Sequence, residues 1–190
     1  MKTPPNTPED PRQLTLPGVL PAAPDIIGLL GLKESGKDTV CRLLAEHRSL
    51  TRLAFADGVK EEVADAIGVP VAFIEEHKRQ LRPLLQHWGT ELRRDLFDRD
   101  YWVKRLVAKL AHVRTPLIVV TDVRFPNEAR ALAERGARLV RVVRGSGAST
   151  DGHASEAWVC SAEARSLAPE EIHNSGTLED LHLRVVQQLA

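Results

Sequence analysis

Gly31-Leu32-Lys33-Glu34-Ser35-Gly36-Lys37-Asp38-Thr39 is the stretch on which the reading of this chain turns. The spacing G-x-x-x-x-G-K lets successive backbone N–H groups turn inward around an anion, because glycine tolerates positive φ and close approach. Lys37 adds a point charge suited to β- and γ-phosphates, and a helix opening there adds the partial positive charge of its N-terminus. The flanks agree with this. Ile26, Ile27, Leu29 and Leu30 form the short apolar run expected of a strand covered on both faces of a parallel sheet. Val40, Leu43, Leu44 and His47 then recur at helical spacing. Strand, loop and helix in that order make a phosphate cradle, with Gly31, Lys33, Glu34, Ser35, Gly36, Lys37, Asp38 and Thr39 as its contacts.

One position departs from the common form of the motif. Where Ser or Thr normally supplies a hydroxyl to Mg²⁺, this chain has Asp38, and the hydroxyl follows at Thr39. A carboxylate is a strong ligand for a hard cation, so Asp38 is expected to hold Mg²⁺ directly or through water, and Thr39 to bond the α-phosphate. The β-branched run at residues 117–122 reads as another buried strand and ends on Asp122, a second carboxylate expected to support the metal through water.

The composition narrows the partners. Acidic and basic residues number 26 each, so no net field favours nucleic acid or an anionic membrane. No apolar run approaches the roughly 18 residues of a spanning helix and no signal-peptide pattern is present, so a cytoplasmic protein is expected. Cys41 and Cys160 lack metal or C-x-x-C spacing and read as free thiols, and the seven histidines show no ligand spacing along the chain. Residues 1–23 carry Pro4, Pro5, Pro8, Pro11, Pro17 and Pro21 among small and polar residues and read as a disordered or extended arm.

The remaining segments place candidate groups around the cradle. Residues 53–57 predict a second strand ending at Asp57, followed by a helix over 60–67 that Gly68 stops, with Asp57 and Lys60 at the carboxyl edge of the sheet. Residues 70–113 read as mostly helical and rich in arginine. Arg82, Gln86, Thr90 and Arg94 recur at four-residue steps, so a helix unbroken past Gly89 would line them up as one polar stripe suited to a phosphate and a base. Trp88 and Trp102 are assigned to the core. Arg124 follows the strand ending at Asp122, with Pro126 at a helix's first turn and Gly136 at its end. Residues 138–143 predict a fourth strand, and Arg144 stands at the base of a Gly- and Ser-rich loop that reads as a lid over about 144–165. A short last strand leads to Asn174, Gly176 and the helix N-cap Thr177. Five strands separated by helices, with a helical insertion after the second, specify a three-layer α/β domain with a parallel sheet.

Several blocks together resemble the deoxynucleoside monophosphate kinases of bacteriophages, within the P-loop nucleoside monophosphate kinase superfamily. They are Gly31 to Thr39 with its Gly-Lys-Asp-Thr ending, Phe55-Ala56-Asp57 with Lys60, and Arg82 through Gln86, Gly89, Thr90 and Glu91 to Arg94 and Tyr101-Trp102-Val103. Asp122-Val123-Arg124-Phe125-Pro126-Asn127-Glu128, His153-Ala154-Ser155-Glu156 and Ile172-His173-Asn174-Ser175-Gly176-Thr177 continue the likeness. The resemblance implies a kinase domain over residues 24–190, strand order 2-3-1-4-5, a helical monophosphate-binding region at about 57–113 and a lid. It implies transfer of the ATP γ-phosphate to a deoxynucleoside monophosphate with Mg²⁺, and allows a homodimer. On that analogy Lys37, Arg124 and Arg144 act on the transferring group, while Asn174 and Gly176 lie near the donor. Asp57, Lys60, Arg82, Gln86, Thr90, Arg94 and Arg124 are expected to hold the acceptor. A P-loop kinase of another phosphorylated acceptor, such as dephospho-coenzyme A or phosphomevalonate, and a non-catalytic ATP-binding module are the alternatives.

Overall fold

The apolar run ahead of the cradle forms the middle of the sheet. β1 (Asp25–Leu30) pairs in parallel with β3 (Leu117–Val123) on one side and β4 (Arg138–Val143) on the other; β2 (Leu50–Leu53) and β5 (Glu170–His173) are the edges. The strand order is therefore 2-3-1-4-5, as the family resemblance implies. This computed structural model describes residues 23–145 and 157–190, so the proline-rich arm and the block His153, Ser155 and Glu156 lie outside the described residues.

Alternation along the strands builds two cores. Ile27 and Leu29 of β1, Leu117 and Val119 of β3, and Val140 and Val142 of β4 face α1 (Lys37–Ala45) and the C-terminal helix Leu178–Leu189. Leu30, Ile118, Val120 and Leu139 face the other way, onto α2 (Phe55–Ile67), α3 (Val71–Glu76), α5 (Tyr101–Leu110) and α6 (Pro126–Ala133). Each fully buried aliphatic side chain in these layers contributes about 1.5–3 kcal/mol relative to exposure. Burial on both faces explains why β1 and β3 read as continuous apolar runs rather than alternating ones.

Two predicted boundaries move. β2 ends at Leu53, and Phe55 already opens α2, so Asp57 sits in a helix's first turn and not at a strand's end. The reason is tertiary: both oxygens of Asp122 accept the Phe55 and Ala56 N–H groups at 2.8 and 2.9 Å, a cap supplied from β3 that local sequence does not contain. The predicted lid also shortens. Residues 157–165 include a 3₁₀ turn, Trp158–Cys160, and the start of α7 (Ala162–Leu167), whose Ala164 lies in the core beside Leu132; Arg130 of α6 pairs with Glu163. These nine residues pack on the body of the domain, and residues 146–156 of the predicted lid lie outside the described residues.

The helical insertion contains α3, α4 (Lys78–Gln86), an eleven-residue π-helical segment (His87–Phe97) and α5. The wider π winding rests on i→i−5 bonds such as Asp98 N–H to the Arg93 carbonyl at 2.9 Å. Glu62 of α2 ties the parts together. Its carboxylate accepts hydrogen bonds from Trp88 Nε1 (3.0 Å), Arg93 Nε (2.8 Å), Arg105 (2.6 Å) and the Tyr101 hydroxyl. Burial pushes this carboxyl up, but the hydrogen bonds from Tyr101, Trp88 and Arg93 outweigh it and hold Glu62 below the ordinary glutamate value. Trp88 is thus half-buried and polar-anchored, and Trp102 is core, donating Nε1–H to the Gly89 carbonyl at 2.7 Å.

Glu62→Ala removes the acceptor of four donors and should lower stability by about 3–5 kcal/mol at neutral pH. Because the folded-state pKa is depressed, this contribution is complete above the unfolded value of 4.5 and fades as pH falls through the folded one. Denaturant titrations of both proteins at pH 7 and in progressively more acidic buffer should show the difference narrowing.

Candidate active site

The cradle sits between β1 and α1 at the carboxyl edge of the sheet. Gly31 has φ 154° and Gly36 φ 105°, and Glu34, with φ 62°, is the one non-glycine residue at positive φ among the described residues. At Gly31 a Cβ would lie 2.6 Å from the Val142 carbonyl, and at Gly36 it would run into the Asn174 amide. These glycines are therefore required by backbone angle and by crowding together. Asn174 Nδ2–H donates to the Ser35 carbonyl at 2.9 Å, so the loop after β5 braces the loop after β1.

Lys37 is 8% exposed, and its ammonium donates to the Gly31 and Leu32 carbonyls at 2.8 and 2.7 Å and to Ser35 Oγ at 3.4 Å. The cation is thus held inside the loop at the first turn of α1, where unpaired helix amides already favour an anion. Outside it runs a cleft lined by Glu34, Gly36, Asp38, Thr39, Arg144, Asn174 and Gly176, continuing past Thr177 to Leu181. Arg144 donates to the Glu34 carbonyl at 3.2 Å, placing its guanidinium beside the loop. Thr177 caps the last helix, α8 (Leu178–Leu189), by accepting from Asp180 N–H at 3.1 Å.

A second and larger cleft, about 640 Å³, opens on the other side of Glu34. Lys33, Lys60, Arg82, Gln86, Thr90, Asp122 and Arg124 line it, with Phe55, Val59, Leu85, Trp102 and Phe125 as its apolar surface. Two expected residues are placed elsewhere. Arg94 stacks 3.7 Å from the Phe125 ring centroid and donates to Asn127 Oδ1 at 2.9 Å, because the π winding rotates it off the four-residue stripe that Arg82, Gln86 and Thr90 still share. Asp57 is taken by Arg52 at 2.9 and 3.1 Å and does not line the cleft. Lys60 does, but its buried ammonium bridges Asp57 and Glu75.

Sequence reasoning missed Arg79, Lys78, Glu75, Glu76 and Glu128 among the lining groups. Arg79, Arg82 and Gln86 stand at i, i+3 and i+7, a helical face that a search at four-residue steps alone overlooks. Glu128 is not the ion-pair partner of Arg124. Its carboxylate accepts the backbone N–H groups of Arg124 and Phe125 at 2.8 and 3.0 Å, while the Arg124 guanidinium makes no hydrogen bond to another described residue. Burial, and then the nearby Asp122 charge, push Glu128 up to about 8. Burial likewise raises Asp122, only partly offset by Ala56 N–H, the Arg124 charge and Phe55 N–H. Burial works against the Arg52 charge, but Asp57 above all, then Asp122 and Asp38, outweigh it and hold Arg52 above the ordinary arginine value. Cys41, buried behind the cradle, is pushed up to about 11 by burial and is a packing residue.

A parallel sheet in order 2-3-1-4-5, a glycine-rich cradle after its central strand, and clefts on either side that each carry guanidinium groups define a P-loop kinase. The profile of the deoxynucleotide monophosphate kinase family matches residues 69–185, more than half of the chain and wholly beyond the cradle. The chain belongs to that family and is a nucleotide kinase. It is 29% identical over 189 residues to a protein of Acanthamoeba polyphaga mimivirus assigned as a deoxynucleotide monophosphate kinase, covering 85% of this chain and 94% of that one. It is 34% identical to the deoxynucleotide monophosphate kinase of Escherichia phage RB69 over 55% of this chain, and 31% identical to that of Enterobacteria phage T4 over 60%. The aligned parts span 43% and 47% of those two phage proteins. Among solved structures, a gluconokinase from Sinorhizobium meliloti 1021 superposes with a TM-score of 0.49 at 15% identity over 87% of this chain and 91% of that one, a likeness too distant to bear on function. No helix among the described residues is long and apolar enough to cross a membrane.

Gly36→Ala forces a side chain into the left-handed region and against Asn174. Stability should fall by about 1–3 kcal/mol and nucleotide affinity by at least tenfold, measured by denaturant unfolding and by calorimetry. Glu128 gives a separate pH signature. A carboxyl whose folded value is raised has its full effect below the ordinary 4.5 and loses it as pH rises through about 8, so the native protein should lose stability across that window relative to Glu128→Gln.

Proposed function

We propose that the protein transfers the γ-phosphate of ATP to a deoxynucleoside 5′-monophosphate, yielding the diphosphate and ADP. The observation that carries this reading is that the two clefts meet at the cradle, with Glu34 lining both. Two phosphate chains laid in them would meet end to end, as in-line transfer demands. Membership of the deoxynucleotide monophosphate kinase family supports the choice of acceptor.

The donor occupies the cleft of Gly36, Asp38, Thr39, Asn174 and Gly176, its phosphates taken by the cradle amides and by Lys37 once the ammonium turns from the loop carbonyls. The acceptor occupies the larger cleft. Arg82 and Arg124, with Arg79 and Lys33, supply positive charge to its phosphate, and the apolar wall of Phe55, Trp102 and Phe125 beside Gln86 and Thr90 suits a base. A monophosphate is already an anionic nucleophile, so no general base is required. Charge on the equatorial oxygens is met by Lys37, Arg124 and Arg144, positioned before the reaction begins.

The carboxylates of Asp38, in the donor cleft, and Asp122, in the acceptor cleft, are hard oxygen donors of the kind that fits Mg²⁺. Both Asp122 oxygens also accept amides, which suits support through water rather than direct ligation. Bound there, the ion would neutralise phosphate charge. Asp38 would be its nearer ligand.

Incubation with ATP, Mg²⁺ and each of dAMP, dGMP, dCMP and dTMP should give a diphosphate from at least one, while dephospho-coenzyme A and phosphomevalonate remain unphosphorylated. Arg124→Ala should lower turnover by about 10³-fold, within the range for an arginine that meets transferring charge. Product from only the non-nucleotide acceptors would reverse the assignment.

A further inference from the structure

On the face of the domain opposite the insertion, the C-terminal end of α1 meets the middle of α8. His47 Nε2 lies 2.7 Å from His182 Nε2, and His182 Nε2 lies 4.0 Å from Glu46 Oε2. These three ligand atoms fall within 4.8 Å of one another. At 2.7 Å one Nε2 donates its proton to the other, and loss of that proton to solvent leaves a lone pair on each Nε2 for a cation.

We propose that Glu46, His47 and His182 form a site for a borderline divalent cation of the Zn²⁺ class, separate from the phosphate chemistry and independent of the acceptor assigned above. Two imidazoles and one carboxylate are a donor set that such ions take readily and that Mg²⁺ does not favour. Tetrahedral bonds of about 2.0–2.1 Å place ligand atoms about 3.3 Å apart, so the histidine nitrogens need only separate slightly and the carboxylate approach slightly. All three side chains reach solvent, which leaves them free to make those shifts and leaves the remaining coordination position to water.

The elements beneath are packed together. Leu43 and Leu44 of α1 and Leu181 and Val185 of α8 are packed in one core, and His47 N–H is held by the Leu44 carbonyl at 3.0 Å. The cation would sit at the carbonyl end of α1, where the helix carries partial negative charge. Of the basic residues on these two elements, Arg48 pairs with Asp25 at 3.0 Å and Arg184 donates to the His173 carbonyl, while Arg42 stands in the last turn of α1. Because Leu181 also lines the cleft beside Lys37, an ion here joins two elements that border the cradle.

The test uses the full chain without a histidine tag, titrated with Co²⁺ alone and with Zn²⁺ alone. The native protein should bind one equivalent, develop the visible absorption of low-coordinate cobalt, and gain thermal stability with Zn²⁺ that excess Mg²⁺ does not reproduce. His47→Ala and His182→Ala should each weaken binding at least tenfold. His87→Ala and His173→Ala should leave it unchanged, although each imidazole lies 3.2 Å from one carboxylate. Binding that is equal in the native protein and in the His47→Ala/His182→Ala double variant, or absent from both, would overturn the proposal.

Discussion

All five strands run the same way, and this parallel pairing is the constraint from which the site follows. Parallel neighbours need long crossovers, so helices cover both faces and every strand delivers its following loop to one edge. The cradle after β1, Ala54 and Phe55 after β2, Arg124 after β3, Arg144 after β4 and Asn174 after β5 therefore converge although they are separated by more than a hundred residues. Direct contacts then knit that edge: Asn174 to Ser35, Arg144 to Glu34, and Asp122 to the first amides of α2.

The insertion obeys a different logic. Little of it lies deep in the core, and α4 has no buried residue, so its placement depends on polar anchors. Glu62 gathers Trp88, Arg93, Tyr101 and Arg105 into one half-buried cluster, and Trp102 clasps the Gly89 carbonyl. Those two anchors set the wall of the larger cleft at Gly89 and Thr90. A hydrogen-bonded hub of this kind also specifies one arrangement of α2, the π segment and α5, since any other leaves a carboxylate without donors.

Charge at the site is balanced rather than simply positive. Arg79, Arg82, Arg124 and Lys60 share the cleft with Glu75, Asp122 and Glu128, and burial raises the last two carboxyls toward protonation. Phosphates would therefore meet individual guanidinium and ammonium groups rather than a net positive field, in keeping with a chain of no net charge.

Much of this was legible before any coordinates. The cradle, the buried strands at residues 25–30, 117–122 and 138–143, the Thr177 cap and the cleft groups Arg82, Gln86, Thr90 and Arg124 all carry local signals: glycine spacing, apolar runs, helical spacing, or a position just past a strand. What local pattern could not supply was decided by partners distant in sequence. Asp122 turned the predicted strand at Phe55 into a helix, π winding moved Arg94 onto Phe125, and Arg52 claimed Asp57. His47 and His182, 135 residues apart, have no spacing to betray them, because only the packing of α1 on α8 brings their nitrogens together. Sequence determines what each segment can do with its neighbours in the chain; contacts between segments depend on how whole elements stack, and only the folded structure expresses that.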